Sequence, residues 1–296
     1  MGPARRLAAG LLVVAAALPH STGAEMTIDR TRVGWTRLDF AASKLGLTTT
    51  SVVERRTLPA AEVGPHLVDP GEGVHGLEPS GTVERLVVSS SFLGRRARDV
   101  VLFSPGDMKT LQRTVVETGK RRRYKVVRYA EEGIVVRRGA PATASEASLE
   151  PSRWSDATQE LIRHPPGVDV VQEPAILLYL FSALDLEPGH SRFLTVFADG
   201  EIHRARFESD GLRQVPVTFD VITEKGFTRI EGPRTLRRVI VSPERVGDRE
   251  GKLELLGLQG EIEAFVDLEH GVPVLIRGKV RIAGEVEIRL RRVHGP

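Results

Sequence analysis

Apolar and charged residues alternate one for one along much of the chain after residue 30. That period of two is the mark of strands with one face buried and one face in water. The clearest case lies near the C-terminal end, where Val280, Ile282, Val286, Ile288 and Leu290 alternate with Arg281, Glu287, Arg289 and Arg291. Antiparallel neighbours must present like faces to each other, which fixes the parity of the loop between them. A two-residue loop at Ala283-Gly284 would set Arg281 opposite Val286 and mix the faces. A three-residue loop, Ala283-Gly284-Glu285, sets Ile282 across from Val286, Val280 across from Ile288 and Arg281 across from Glu287, so the odd loop is expected.

Other hairpins follow the same logic. Phe193 to Ala198 and Glu201 to Phe207 flank Asp199-Gly200, a dipeptide suited to a type I′ turn. Leu111 to Glu117 and Tyr124 to Tyr129 flank Thr118-Gly119-Lys120, and Ile134 to Arg138 adds a third strand. Further strands are expected at 37–40, 47–53, 83–92, 99–103, 215–223, 237–241 and 253–266. Two stretches break the alternation. Ser152 to Ile162, which stops at Pro165-Pro166, reads as a short helix. Pro174 to Leu186 is apolar on nearly every side and reads as a second, buried one. The expected fold is therefore mainly β: a large, curved antiparallel sheet or half-barrel with two short helices against its concave face. One β-rich domain over 25–296 is expected. Its strands fall into sets at about 30–138 and 192–294, joined by a small-residue linker at 139–150 and the helices at 152–186. The sequence leaves open whether the two sets form one sheet or two.

Composition sets the address and narrows the function. Arg5-Arg6, the apolar run Leu7 to Leu18, Pro19 and the small residues Thr22-Gly23-Ala24 read as a secretory signal peptide, with the mature chain starting at Glu25. There is no cysteine, so neither disulfides nor a lipid anchor on a cysteine is expected, and the protein should be a soluble periplasmic one. Lys and Arg number 42 against 39 Asp and Glu, a net +3 that falls to +1 without Arg5 and Arg6. Aromatic residues make up 5% of the chain. A near-neutral chain with few stacking residues is a poor nucleic-acid partner, and the same scarcity argues against a sugar-binding cleft.

No pattern of catalytic residues stands out. The histidines are scattered, without the spacing of a zinc site, and no metal or cofactor is expected. His190 and His203 could approach each other across the 193–207 hairpin, but surface positions near a turn explain them better. Ser89-Ser90-Ser91 lies in a strand with no nucleophile elbow around it. Glu261 and Glu263 share one strand face and read as its solvated side rather than as a glycosidase pair. Lys120, Arg121, Arg122 and Arg123 form the sharpest charge run. It would suit anionic lipid headgroups at a membrane surface, although exposed charge at a hairpin tip is also ordinary.

Three segments carry a resemblance: Ala175 to Gly189 (AILLYLFSALDLEPG), Leu194 to Phe207 (LTVFADGEIHRARF) and Phe265 to Val293 (FVDLEHGVPVLIRGKVRIAGEVEIRLRRV). In these the C-terminal half resembles a family of bacterial exported proteins of unknown function, similar in fold to the periplasmic lipoprotein-localisation carriers. The resemblance implies a half-barrel closed by helices around an apolar cavity and transfers no catalytic residue. The leading expectation is thus a non-enzymatic envelope protein that carries a lipid, a lipoprotein or another apolar ligand. Ligand contact would come from Leu177, Leu180, Phe181 and Leu184 on the second helix, faced by Val196, Phe207, Phe219 and Phe265. The alternative is an envelope interaction or scaffold protein whose core those same residues fill, and a hydrolase with an unrecognised site comes third.

Overall fold

A computed structural model describes residues 28–44, 47–92, 94–119, 122–165, 167–168, 170–244, 253–281 and 283–295. The expected signal peptide (1–24), Lys120, Arg121 and Ile282 lie outside the described residues. Strands β1 (Arg37–Lys44), β2 (Leu47–Pro59), β3 (Thr82–Phe92), β4 (Arg95–Phe103), β5 (Thr110–Thr118), β6 (Arg123–Tyr129), β7 (Gly133–Ala140) and β8 (Asp156–Arg163) form an antiparallel meander. The second set comprises β9 (Ser191–Ala198), β10 (Glu201–Thr223), β11 (Gly226–Pro243), β12 (Glu254–Leu255), β13 (Leu258–Asp267), β14 (Val272–Val280) and β15 (Gly284–His294). The helices among the described residues are α1 (Ala60–Val63) and α2 (Leu177–Ala183).

The two sets are one sheet. The first strand pairs with the last, setting Leu38 opposite Val293 and Ala42 opposite Ile288, so apolar residues from both ends of the chain share one buried face. The second set also curls back on itself. Asp220, Val221 and Ile222 of β10 pair in parallel with Arg292, Val293 and His294 of β15, which closes β10, β11, β13, β14 and β15 into a ring. This short parallel contact departs from the antiparallel pattern of the other ladders between the named strands. Closure removes the unpaired edge that an open sheet would leave at that point.

The Asp199-Gly200 turn is where the alternation places it, and both residues have positive φ (52° and 84°), as a type I′ turn requires. The last hairpin keeps the expected parity but turns two residues earlier. Arg277 faces Glu287, Gly278 faces Val286 and Val280 faces Gly284, so the chain turns between Val280 and Gly284. Two glycines favour this register. Gly284 takes φ +68° as the chain re-enters the sheet, and a Cβ on Gly278 would lie 3.0 Å from the Cβ of Leu258 on β13.

The expected helix at 152–162 is not one. Pro151–Arg153 make a single 3-10 turn, and Asp156–Arg163 then pair with β7 along its whole length as the outermost strand. Alternation is visible only where one face is buried; seven of the eight residues of β8 are exposed, so it carries no period to read. The other short helix is α1. Its Val63 packs with Val83, Leu102 and Leu111 on the face opposite to Val101 and Phe103. The concave face receives α2 alone, in a core with Trp35, Leu38, Phe40, Phe103, Phe207 and Phe219.

Candidate functional site

The concave face is filled. Leu177, Leu180, Phe181, Leu184, Val196, Phe207, Phe219 and Phe265 are each 0–4% exposed and belong to one continuous core. Tertiary structure therefore brings together all eight residues that the sequence pointed to, as packed neighbours. Phe181 and Phe207 stack with ring centres 5.5 Å apart, and Tyr179 meets Phe103 edge to face at 5.2 Å. Among the described residues, none of the five main surface clefts takes a lining residue from α2.

The helix is also fastened at both ends. Seven residues are too few to hold a helix in water, so its tertiary contacts must supply the stability. Just ahead of it, before Pro174, Glu173 sits with its side chain wholly buried. One carboxylate oxygen accepts from Arg113 at 2.8 Å and the other from the Tyr129 hydroxyl at 2.7 Å, while its backbone N–H donates to Thr110 Oγ1. Arg113 in turn donates to Asp99 at 2.6–3.0 Å. Burial pushes the Glu173 carboxyl above its ordinary value, with Arg113 pulling it back. Burial alone would lower the Arg113 guanidinium, but Glu173 and Asp99 more than reverse this and hold it charged. The Tyr129 phenol is pushed well up by the same burial and by Glu173.

At the other end, the Leu184 carbonyl accepts from Arg237 at 2.9 Å, and Asp185 takes a two-pronged bond from Arg32 at 2.8 and 3.1 Å. Midway, the Trp35 indole, itself fully buried, donates to Ser182 Oγ at 3.0 Å. A cation, two carboxylates and a phenol in one cluster could in principle do acid–base chemistry. Here both oxygens of the central carboxylate are engaged and shielded from solvent, so the cluster is a lock.

The remaining candidates are dispersed. His190 is exposed beside Ser209, whereas His203, expected at the surface, is buried opposite Val196 at the other end of the hairpin, because the alternation along β10 turns it inward with Ala205 and Phe207. Glu261 accepts from Ser242 and Glu263 pairs with Arg238, both across to β11. Ser89, Ser90 and Ser91 are ladder residues opposite Thr50 to Val52 and Arg96 to Arg98. Of the basic run, Arg123 begins β6 exposed and Arg122 donates to the Ala147 carbonyl. Asp267, Glu269 and His270 offer ligand atoms within 4.8 Å of one another, but Arg234 already pairs with both carboxylates. Sequence reading missed the lock. Its one visible trace is Glu173 itself, a lone carboxylate heading an apolar run, which must find a buried cation once that run is inside.

No family model, curated protein or solved structure gives a significant match to the chain. The resemblance over 175–189, 194–207 and 265–293 thus rests on those residues themselves. No helix among the described residues is long and apolar enough to cross a membrane.

Proposed function

We propose that this is a non-enzymatic protein of the cell envelope, exported by way of residues 1–24, whose filled core presents its sheet to a partner. The seating of α2 carries the reading: a helix packed on every side and tied at both ends serves as core. The partner surface is the free edge at β8. This strand ends one side of the sheet, has seven of its eight residues exposed and contains no Pro, and its charged side chains Asp156, Glu160 and Arg163 offer a partner strand matching polar contacts. An extended segment of a partner protein added there would pair with the free backbone groups of β8. A photo-crosslinking residue at Leu161 is expected to trap one defined protein in cells, and the same residue at Thr228, on the tip of the β10–β11 hairpin, none. Equal capture from both positions, or none from Leu161, would remove the edge as the partner surface.

Carriage of a lipid, lipoprotein or other apolar ligand is the second reading, favoured by the mostly apolar composition of α2. It requires the helix to leave its seat, breaking the Glu173, Ser182 and Asp185 anchors. Native mass spectrometry of protein released from the envelope without detergent decides between the two. A ligand-free mass supports the filled core, and a stoichiometric lipid adduct supports carriage.

A further inference from the structure

The outer face of β2, β3 and β4 carries a like-charge pairing that the described ladders otherwise show only at Lys125 opposite Arg138, where Glu160 pairs with the arginine. Arg56 on β2 and Arg85 on β3 are direct cross-strand partners, so two guanidinium groups leave the same face side by side. Like charges directly opposite one another destabilise an antiparallel pair. Elsewhere, arginines of neighbouring strands meet acids: Arg113 meets Asp99, Arg138 meets Glu160 and Arg277 meets Glu287. Arg98 shares the outer face from β4, and neither it nor Arg56 nor Arg85 forms an ion pair with a described residue. Arg85 is only partly exposed, and burial together with the charges of Arg98 and Arg56 presses its pKa down. Glu54 on β2 offsets this in part without forming an ion pair with Arg85, so the position is that of a cation with no direct partner among the described residues.

Beside this pair the surface is mixed, with apolar residues next to Glu62, His66, Gln112 and Thr114. Arg56 and Arg85 line a cleft of about 660 Å³ together with Leu58, Val63, Val100 and Leu102, where α1 and the turn after it lie over the sheet. Glu62, the one carboxylate in the lining, pairs with neither arginine. The volume falls within the range of about 300–1,000 Å³ that small-molecule sites occupy. Guanidinium pairs suit the oxygens of a phosphate or carboxylate, which either group can hold with two parallel hydrogen bonds.

We propose that this cleft binds an anionic amphiphile, its oxyanion head between Arg56 and Arg85 and its apolar chain over the partly exposed Leu58 and Val100, above the buried Val63 and Leu102. The site lies on the face opposite to α2 and does not rest on the edge reading of β8. Isothermal titration with dihexanoyl phosphatidic acid, below its micelle concentration, tests it. Dihexanoyl phosphatidylcholine and inorganic phosphate serve as the head-group and free-anion arms. Phosphatidic acid should bind saturably and at least tenfold more tightly than either. Arg56→Gln and Arg85→Gln should each weaken it at least tenfold, with melting temperatures equal to or above that of the parent, since each removes a like-charge repulsion. Leu58→Ser should weaken phosphatidic acid and leave inorganic phosphate unchanged. Equal binding of phosphatidic acid and phosphate would reduce the site to a bare anion patch and overturn the amphiphile. So would absence of saturable binding, or retention of parental affinity by both arginine variants.

Discussion

Single residues set the conditions under which the interior holds. Glu173, Arg113, Asp99 and Tyr129 satisfy one another, and removing one partner from such a set costs more than the set contributes, because the remaining charge is left buried. Tyr179 gives a cleaner test, since its ring packs edge-on to Phe103 and its phenol is pushed up to about 12, by burial first and by Glu84 next. The unfolded chain loses this proton near pH 10 while the folded chain keeps it, so stability is full below pH 10 and falls as pH rises toward 12. A shift of that size corresponds to about 2–3 kcal/mol. Tyr179→Phe should leave stability at pH 7 within about 1 kcal/mol of the parent and make the alkaline fall shallower, the remainder coming from Tyr129. Denaturant titrations at pH 8 and pH 11 would show it, and an equal fall in parent and variant would remove Tyr179 as the cause.

Among the elements, α2 depends most on its surroundings. Its Phe181 is 2% exposed against Phe207, so Phe181→Ala leaves a large hole. The expected cost is about 3–5 kcal/mol by denaturant unfolding, with no change in any bound mass. A loss below about 1 kcal/mol would mean that the site is loosely packed and would favour carriage of an apolar ligand. The strands divide by how much of each is buried. Those with one dry face, such as β1, β10 and β15, announced themselves by alternation. β8 did not, because both of its faces meet water and its pairing to β7 is a backbone property without a side-chain period. The shift of the last turn by two residues has a similar origin: parity is fixed by faces, but the choice among loops of one parity is made by glycines and by the crossing of Leu258.

The molecule as a whole has a ring on one side and an open meander on the other, and its sheet ends at β9 beyond the ring and at β8 beyond the meander. The ring made by β10, β11, β13, β14 and β15 has its backbone groups paired around the circle, whereas the meander runs out to β8 with one edge free. Opening should follow that division. In native-state hydrogen exchange, the amides of β8 are expected to exchange fastest among the strands, and those of β13 and β14 to approach the rate of global unfolding. Uniform protection across all strands would mean that β8 is covered in solution.

The alternating pattern by itself determined the β class, most strand positions, the Asp199-Gly200 turn, and the identity of the apolar residues that end up inside, because burial of one face is written locally at every second residue. Tertiary structure alone decided that the two strand sets make one sheet, that β10 closes on β15, that Glu173 finds Arg113 sixty residues away in sequence, and that α2 fills the space it faces. These outcomes depend on contacts between distant segments, and the energy of such contacts is set by shape and by charge pairing in three dimensions, which no local period encodes.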